Sequence, residues 1–205
     1  MNRQTFKQYL LENRTNQDCI VVDIQPEYVE YMGIRWIPDL MEFLNKQNKI
    51  LMFVNAEDQG ATSDTVDDIK IFWHENGFDE NKFKDVIVED KGYGYLRSWM
   101  DFPHIKQSAI IKTIREMHRQ RVNSSDELFG GWEHPDYVKN MTEQLDVPED
   151  LLDDTIYTEW TSIAQLKRFN GSLMMGGAKD ECLREVQLLM NAFNIRYREV
   201  NKFIY

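Results

Sequence analysis

Short apolar runs, separated by longer stretches of helical period, constrain this chain more than any other feature. Residues 18–24 (DCIVVDI), 49–54 (KILMFV), 85–89 (DVIVE) and 172–175 (SLMM) are too brief for independent helices. Nearly continuous apolar runs of this kind suit strands covered on both faces, as in a parallel sheet. Between them, Ile37, Leu40, Met41 and Leu44 recur at helical spacing, and so do Val66, Ile69 and Phe72 or Trp73 within 65–76. Ser63 or Asp64 is the expected N-cap of that second helix, and Gly77 follows its end. Alternation of strands and helices with few hairpin signals predicts right-handed crossovers. The expected architecture is α/β and three-layered, a mainly parallel sheet with helices on both faces. A short strand is expected at 154–157. The last strand, 195–200, alternates in character and is expected at an edge.

One α/β domain over 1–205 is expected, with a mostly helical insertion at 104–150. Phe6, Tyr9 and Leu10 suggest a short amphipathic helix before the first strand. In the insertion, 105–121 reads as a helix with Ile110 or Ile111, Ile114 and Met117 on one side. Lys112, Arg115, Arg119 and Arg121 of the same segment form the main basic concentration, read by default as a solvated face. Phe129 and Trp132 read as exposed in the loop 123–136, which also holds His134, and 137–145 is a further short helix.

A net charge of −11 argues against a surface that binds nucleic acid or anionic lipid. No stretch is long and apolar enough to span a membrane, and the opening residues lack a signal-peptide core. Two cysteines, Cys19 and Cys182, are too few for a disulfide framework, so a reducing, cytoplasmic setting is expected. The loop 55–64 carries Glu57, Asp58 and Asp64 without histidine or a defined ligand spacing, and no metal or other cofactor is expected. A nucleotide site on the glycine turn is disfavoured, because GGAKDE lacks both the Gly-x-Gly-x-x-Gly pattern and the P-loop ending.

Chemistry concentrates at two strand ends. Residues 171–193 (GSLMMGGAKDECLREVQLLMNAF) read as a buried strand, a glycine turn and a helix opened by Lys179 or Asp180. Cys182 then falls in the first helical turn, where outward N–H groups and the helix dipole favour a thiolate. A lone cysteine is otherwise a small buried hydrophobe, and both readings stay open. Asp23 closes the first strand, where open α/β sheets place ligands, although it could instead brace the next loop. Lys91 follows the third strand in KGYGY, whose glycines and tyrosines suit approach to a ligand or another chain.

VVDIQPEY, residues 21–28, resembles the first-strand motif of the isochorismatase-like cysteine hydrolases: an apolar run, Asp, any residue, Gln, two residues, an aromatic. GGAKDECLREV, residues 176–186, is similar to that family's glycine turn before its cysteine. The likeness spans 18–60 and 154–200, is poor between, and points to a remote, phage-type member. It implies a Rossmann-like fold and a hydrolase acting on a small amide, imide or vinyl-ether substrate. Cys182 is then the nucleophile, Asp23 the base and Lys91 the cationic partner. Gln25, Tyr93, Trp160, Gly177 and Ala178 would bind substrate, and the 177–178 peptide bond falls where the family often has a cis or strained bond. A second alignment, on TIYTEWTSI (155–163), puts Thr158 at the lysine position. Thr158 cannot supply the charge, and the chain would then be a ligand-binding or assembly relative. The family's metal-binding Asp and His pattern is absent after the second strand. The resemblance also implies a homo-oligomer, a dimer or tetramer.

Overall fold

The computed structural model describes residues 14–33, 36–55, 63–90, 96–130, 135–158 and 160–205. The expected N-terminal helix, most of the 55–64 loop, Lys91, Tyr93, Trp132 and His134 lie outside the described residues. In chain order the elements are β1 (Cys19–Val22), a 3-10 turn (Pro26–Tyr28), α1 (Val29–Met32), α2 (Ile37–Leu44), β2 (Ile50–Val54), α3 (Val66–Glu75), a 3-10 segment (Glu80–Asp85) and β3 (Val86–Asp90). They continue with α4 (Arg97–Asp101), α5 (Gln107–Gln120), α6 (Ser125–Phe129), α7 (Pro135–Leu145), a 3-10 turn (Glu149–Leu151), α8 (Trp160–Arg168), β4 (Ser172–Gly176), α9 (Cys182–Ala192) and β5 (Tyr197–Ile204). The chain divides into two compact units. One holds the described residues of Met1–Tyr93, Arg168–Leu183 and Arg196–Tyr205, the other those of Gly94–Lys167 and Arg184–Ile195. The 104–150 segment lies within the second.

Among the described residues the first unit carries one five-stranded sheet in the order β3-β2-β1-β4-β5, parallel throughout. β1 is central, pairing Cys19 to Val22 with Ile50 to Phe53 on one side and with Leu173 to Gly176 on the other. Cys19, Val21, Ile50, Met52, Val54, Leu173 and Met175 face a core shared with Ile37, Leu40, Met41 and Leu44 of α2 and with Ile69 and Trp73 of α3. The alternate residues Ile20, Val22, Leu51, Phe53 and Met174 are buried as well, so both faces of the central strands are covered. That is the burial a continuous apolar run predicts for a parallel α/β sheet. β5 is the expected edge strand. Its pairing with β4 is irregular: from Met174↔Glu199 to Gly176↔Ile204, β4 advances two residues and β5 five.

Two helix starts differ from expectation. The N-cap of α3 is Thr65, in a capping box with Asp68, rather than Ser63 or Asp64. Asp64 is occupied elsewhere, its Oδ2 accepting from the Glu27 N–H at 3.0 Å and from Gln25 Nε2 at 3.2 Å. α9 opens at Cys182, not at 179 or 180, because the Glu181 and Leu183 N–H groups both turn back to the Ala178 carbonyl.

In the second unit α5, α6 and α7 pack together through Ile110, Ile114, Met117, Leu128, Val138 and Met141. Phe129 is buried, against the expectation of an exposed loop residue. Ser124 caps a short helix that Gly130 closes in the left-handed region, which carries Leu128 and Phe129 inward. No strand forms at 154–157. The Ile156 N–H goes to Ser125 Oγ and Thr155 Oγ1 to Asp126, so only one bridge, Ser124↔Tyr157, remains. Arg115, read from sequence as solvated, donates through Nε to the Ala192 carbonyl at 2.6 Å and stops the C-terminal end of α9. Among the described residues no helix is long and apolar enough to cross a membrane.

The fully buried Trp73 of α3 donates its Nε1–H to the Ile24 carbonyl at 2.7 Å, tying this helix to the chain just beyond β1. Trp73→Phe removes that bond and leaves a void. Unfolding stability should fall by about 2 kcal/mol, read from the urea midpoint at unchanged slope.

Candidate functional site

Strand order decides where a ligand site belongs. From β1 the chain crosses to β2 and β3 on one side and then to β4 on the other, so the order reverses between β1 and β4. Crevices at the carboxyl ends of such strands are where open α/β sheets bind ligands. The residues at these two ends are Asp23, just past β1, and Gly176 and Gly177, which lead to Cys182 at the first position of α9.

Contact between the two ends is unusually close. A Cβ at Gly176 would lie 2.0 Å from the Val22 carbonyl oxygen, and its φ of +103° also excludes other residues. The Gly177 N–H then donates to that same oxygen at 3.1 Å. Asp23 follows directly. It is fully buried, its N–H bonds the Phe53 carbonyl at 2.9 Å, and its φ is +52°. A non-glycine residue in the left-handed region costs about 1–2 kcal/mol, less for Asp than for most. Aspartate is also among the residues least often fully buried. Here the two occur together at a strand end. The Gly177–Ala178 peptide bond is cis.

Tyr205, one residue beyond β5, closes the arrangement. Its phenol donates to the Asp23 carbonyl at 2.9 Å. Its carbonyl accepts from the Lys179 N–H at 2.7 Å, and its ring lies over Gly177, where a Cβ would meet three ring carbons at 2.7 Å. Burial, then the negative charges of Asp23 and Cys182, with smaller contributions from Tyr28 and Glu181, push the phenol above its ordinary range. It is therefore a neutral donor throughout the physiological range.

Gln25 is fully buried, and its carboxamide is committed to the protein. Oε1 accepts from the Asn55 N–H at 3.1 Å, and Nε2 donates to the Asn55 carbonyl at 2.9 Å and to Asp64. It ties the end of β1 to the end of β2. Asn55 also donates to the Tyr28 hydroxyl at 3.1 Å. The structure thus gathers Asp23, Gly177, Ala178 and Cys182 about Tyr205, with Gln25 bracing the neighbouring strand end. Lys91 and Tyr93 fall outside the described residues. Trp160 begins α8 in the second unit, which also holds the buried Thr158.

Sequence reasoning missed Tyr205 and the paired use of Asp64. The alternation of Phe203 and Tyr205 sets both rings on one side of the last strand, but nothing local to it points to the glycine turn that Tyr205 meets. Cys19 separates cleanly from Cys182. It is fully buried in β1, where burial raises its thiol well above the ordinary range, whereas Cys182 is partly exposed. Among the described residues no group of three His, Cys, Asp or Glu side chains is placed to hold a metal ion.

Gly176→Ala puts a methyl group into the Val22 carbonyl at a backbone angle that alanine avoids. It should cost about 3 kcal/mol or more, or abolish folding, as measured by urea unfolding and soluble yield. Comparison with protein-family models, with curated proteins and with solved structures finds no match to this chain, so the chemistry of these residues alone speaks to what the site does.

Proposed function

We propose that the chain is a cysteine hydrolase of the isochorismatase-like type, acting on a small amide, imide or vinyl-ether substrate through Cys182. The observation that supports this reading is that a buried, left-handed Asp23 ends β1 and the Cys182 helix start follows β4 at the strand-order reversal, both within the electrostatic reach of Tyr205. In this reading the Asp23 carboxylate takes the thiol proton, and the thiolate attacks the substrate carbonyl or imine carbon. The leaving group departs with a proton, and water then cleaves the covalent intermediate and restores the thiol. The Gly177 N–H is already given to Val22, so the developing oxyanion falls to the Ala178 N–H and to the positive end of the α9 dipole. Lys91 supplies the cationic partner, and the working form is a dimer or tetramer.

A second reading is favoured by Thr158. It occupies the lysine position of the alternative alignment and is buried, with no hydrogen-bond partner for its hydroxyl among the described residues. In that case the chain is a binding or assembly relative that keeps the fold without the triad.

Alkylation separates the two. In the folded protein the buried Cys19 stays silent, so iodoacetamide labelling at pH 7 reports Cys182. The hydrolase reading expects labelling about tenfold faster than a free cysteine thiol, from the greater thiolate fraction, with Asp23→Asn slowing it and Cys182→Ser abolishing turnover of a small-amide panel. A Cys182 that remains inert until the protein unfolds would rule the hydrolase out and leave the binding relative.

A further inference from the structure

We infer that Tyr205 is the positioning residue of this site, acting on Cys182 chemistry through Asp23. The inference deepens the hydrolase reading and rests on it only for its kinetic readout.

Asp23 needs an external hold. Its left-handed backbone is one that the strand leading into it would not adopt unaided, and its side chain is withdrawn from water. The strand ladder fixes its N–H on Phe53 at 2.9 Å. Tyr205 adds a side-chain constraint on the carbonyl, with its phenol O–H donating to it at 2.9 Å.

The tyrosine is itself held at several points. Its N–H reaches the Gly176 carbonyl at 3.4 Å, its carbonyl takes the Lys179 N–H at 2.7 Å, and its ring stands 6.2 Å from that of Trp36. The same ring rests on Gly177, and all three atoms nearest to a Cβ built there belong to it. One side chain therefore touches the segment that bears the base and the turn that leads to the nucleophile. It makes the first contact by a directional hydrogen bond and the second by shape. Neither contact is an ordinary core contact, because both partners are backbone at strand ends. Burial and the surrounding negative charge keep the phenol protonated, so the donor is not lost as pH rises through the range in which a thiol ionises.

The test is Tyr205→Phe in the full chain, with two readouts. The first is independent of any activity: the ¹³Cα and ¹³Cβ shifts of Asp23, which report its left-handed φ. The second is the pH profile of Cys182 alkylation by iodoacetamide. Positioning predicts that the Asp23 shifts move away from the left-handed signature. It also predicts alkylation at pH 7 slower by about fivefold, the worth of one neutral hydrogen bond, with the melting temperature lowered by no more than about the few degrees that such a bond accounts for. A lowered melting temperature with the Asp23 signature intact would overturn the proposal and leave Tyr205 a packing residue. Gly177→Ala tests the same contact if the first variant folds poorly. It displaces the ring while keeping the phenol and should produce the same change at Asp23; an unaltered Asp23 in that variant counts against the proposal as firmly. Slow wild-type alkylation defeats the hydrolase reading alone, since the Asp23 shifts still decide the role of Tyr205.

Discussion

The site depends on a missing atom. Gly176 has no Cβ, and only for that reason can the end of β4 lie against the Val22 carbonyl while the chain turns through a φ that other residues avoid. The Gly177 N–H then reaches that same oxygen. This one close approach fixes the position of the residue after Val22, Asp23, relative to the turn that leads to Cys182. The rest of the first unit supports it. Trp73 holds Ile24 from below, Gln25 clamps the β1 end to Asn55, and Asp64 gathers Gln25 and Glu27. Polar contacts from several elements thus converge on Asp23 to Glu27, where the chain leaves β1 and enters the 3-10 turn. Buried backbone and amide groups must find partners, and here meeting that requirement also locks the geometry.

Much of the sheet was legible because fully covered parallel strands leave continuous apolar runs, and DCIVVDI, KILMFV and SLMM are such runs. One edge was readable too, since β5 alternates and lies outermost; the other edge, β3, was not, because its apolar run VIV looks like those of the covered strands although it is only half-buried. The helix boundaries were less so. Thr65 and Asp64 are both good caps in isolation, and only the presence of Glu27 and Gln25, far away in sequence, decides that Asp64 serves them and Thr65 serves α3. The same limit explains 154–157, where a β-like stretch spends its donors on the cap of α6 instead of a ladder. Phe129 was misjudged because a five-residue helix gives too short a period for an inward face to be recognised.

At the site, Asp23, Cys182 and the two glycines could be picked out from local spacing and from strand–turn–helix logic. Tyr205 could not. Its importance arises from a parallel edge strand ending beside the glycine turn, a relation between residues 176–177 and 205 that no local window contains. Gln25 was picked out for a different role. Its position in the motif suggested substrate contact, whereas its carboxamide is matched donor and acceptor to one backbone residue, Asn55. An amide side chain in that setting acts as a spliced-in piece of sheet, extending the β1–β2 pairing past the last residues of both strands.

The irregular pairing of β5 has a consequence for how such a chain can vary. Between two points of contact with β4 the outer strand spends three residues more than its neighbour, and it resumes pairing at Ile204 in a register shifted by three, just before Tyr205 meets the turn. A strand advances roughly 3.3 Å per residue and reverses its facing at each step. The slack in 200–203 therefore works as a ruler of fixed length. Losing or gaining a single residue there would swing the aromatic ring of Tyr205 to the opposite side and would disturb Val200 and Phe203, which are buried in the core. In this fold the outer strand is constrained by its count of residues as much as by its buried Val200 and Phe203.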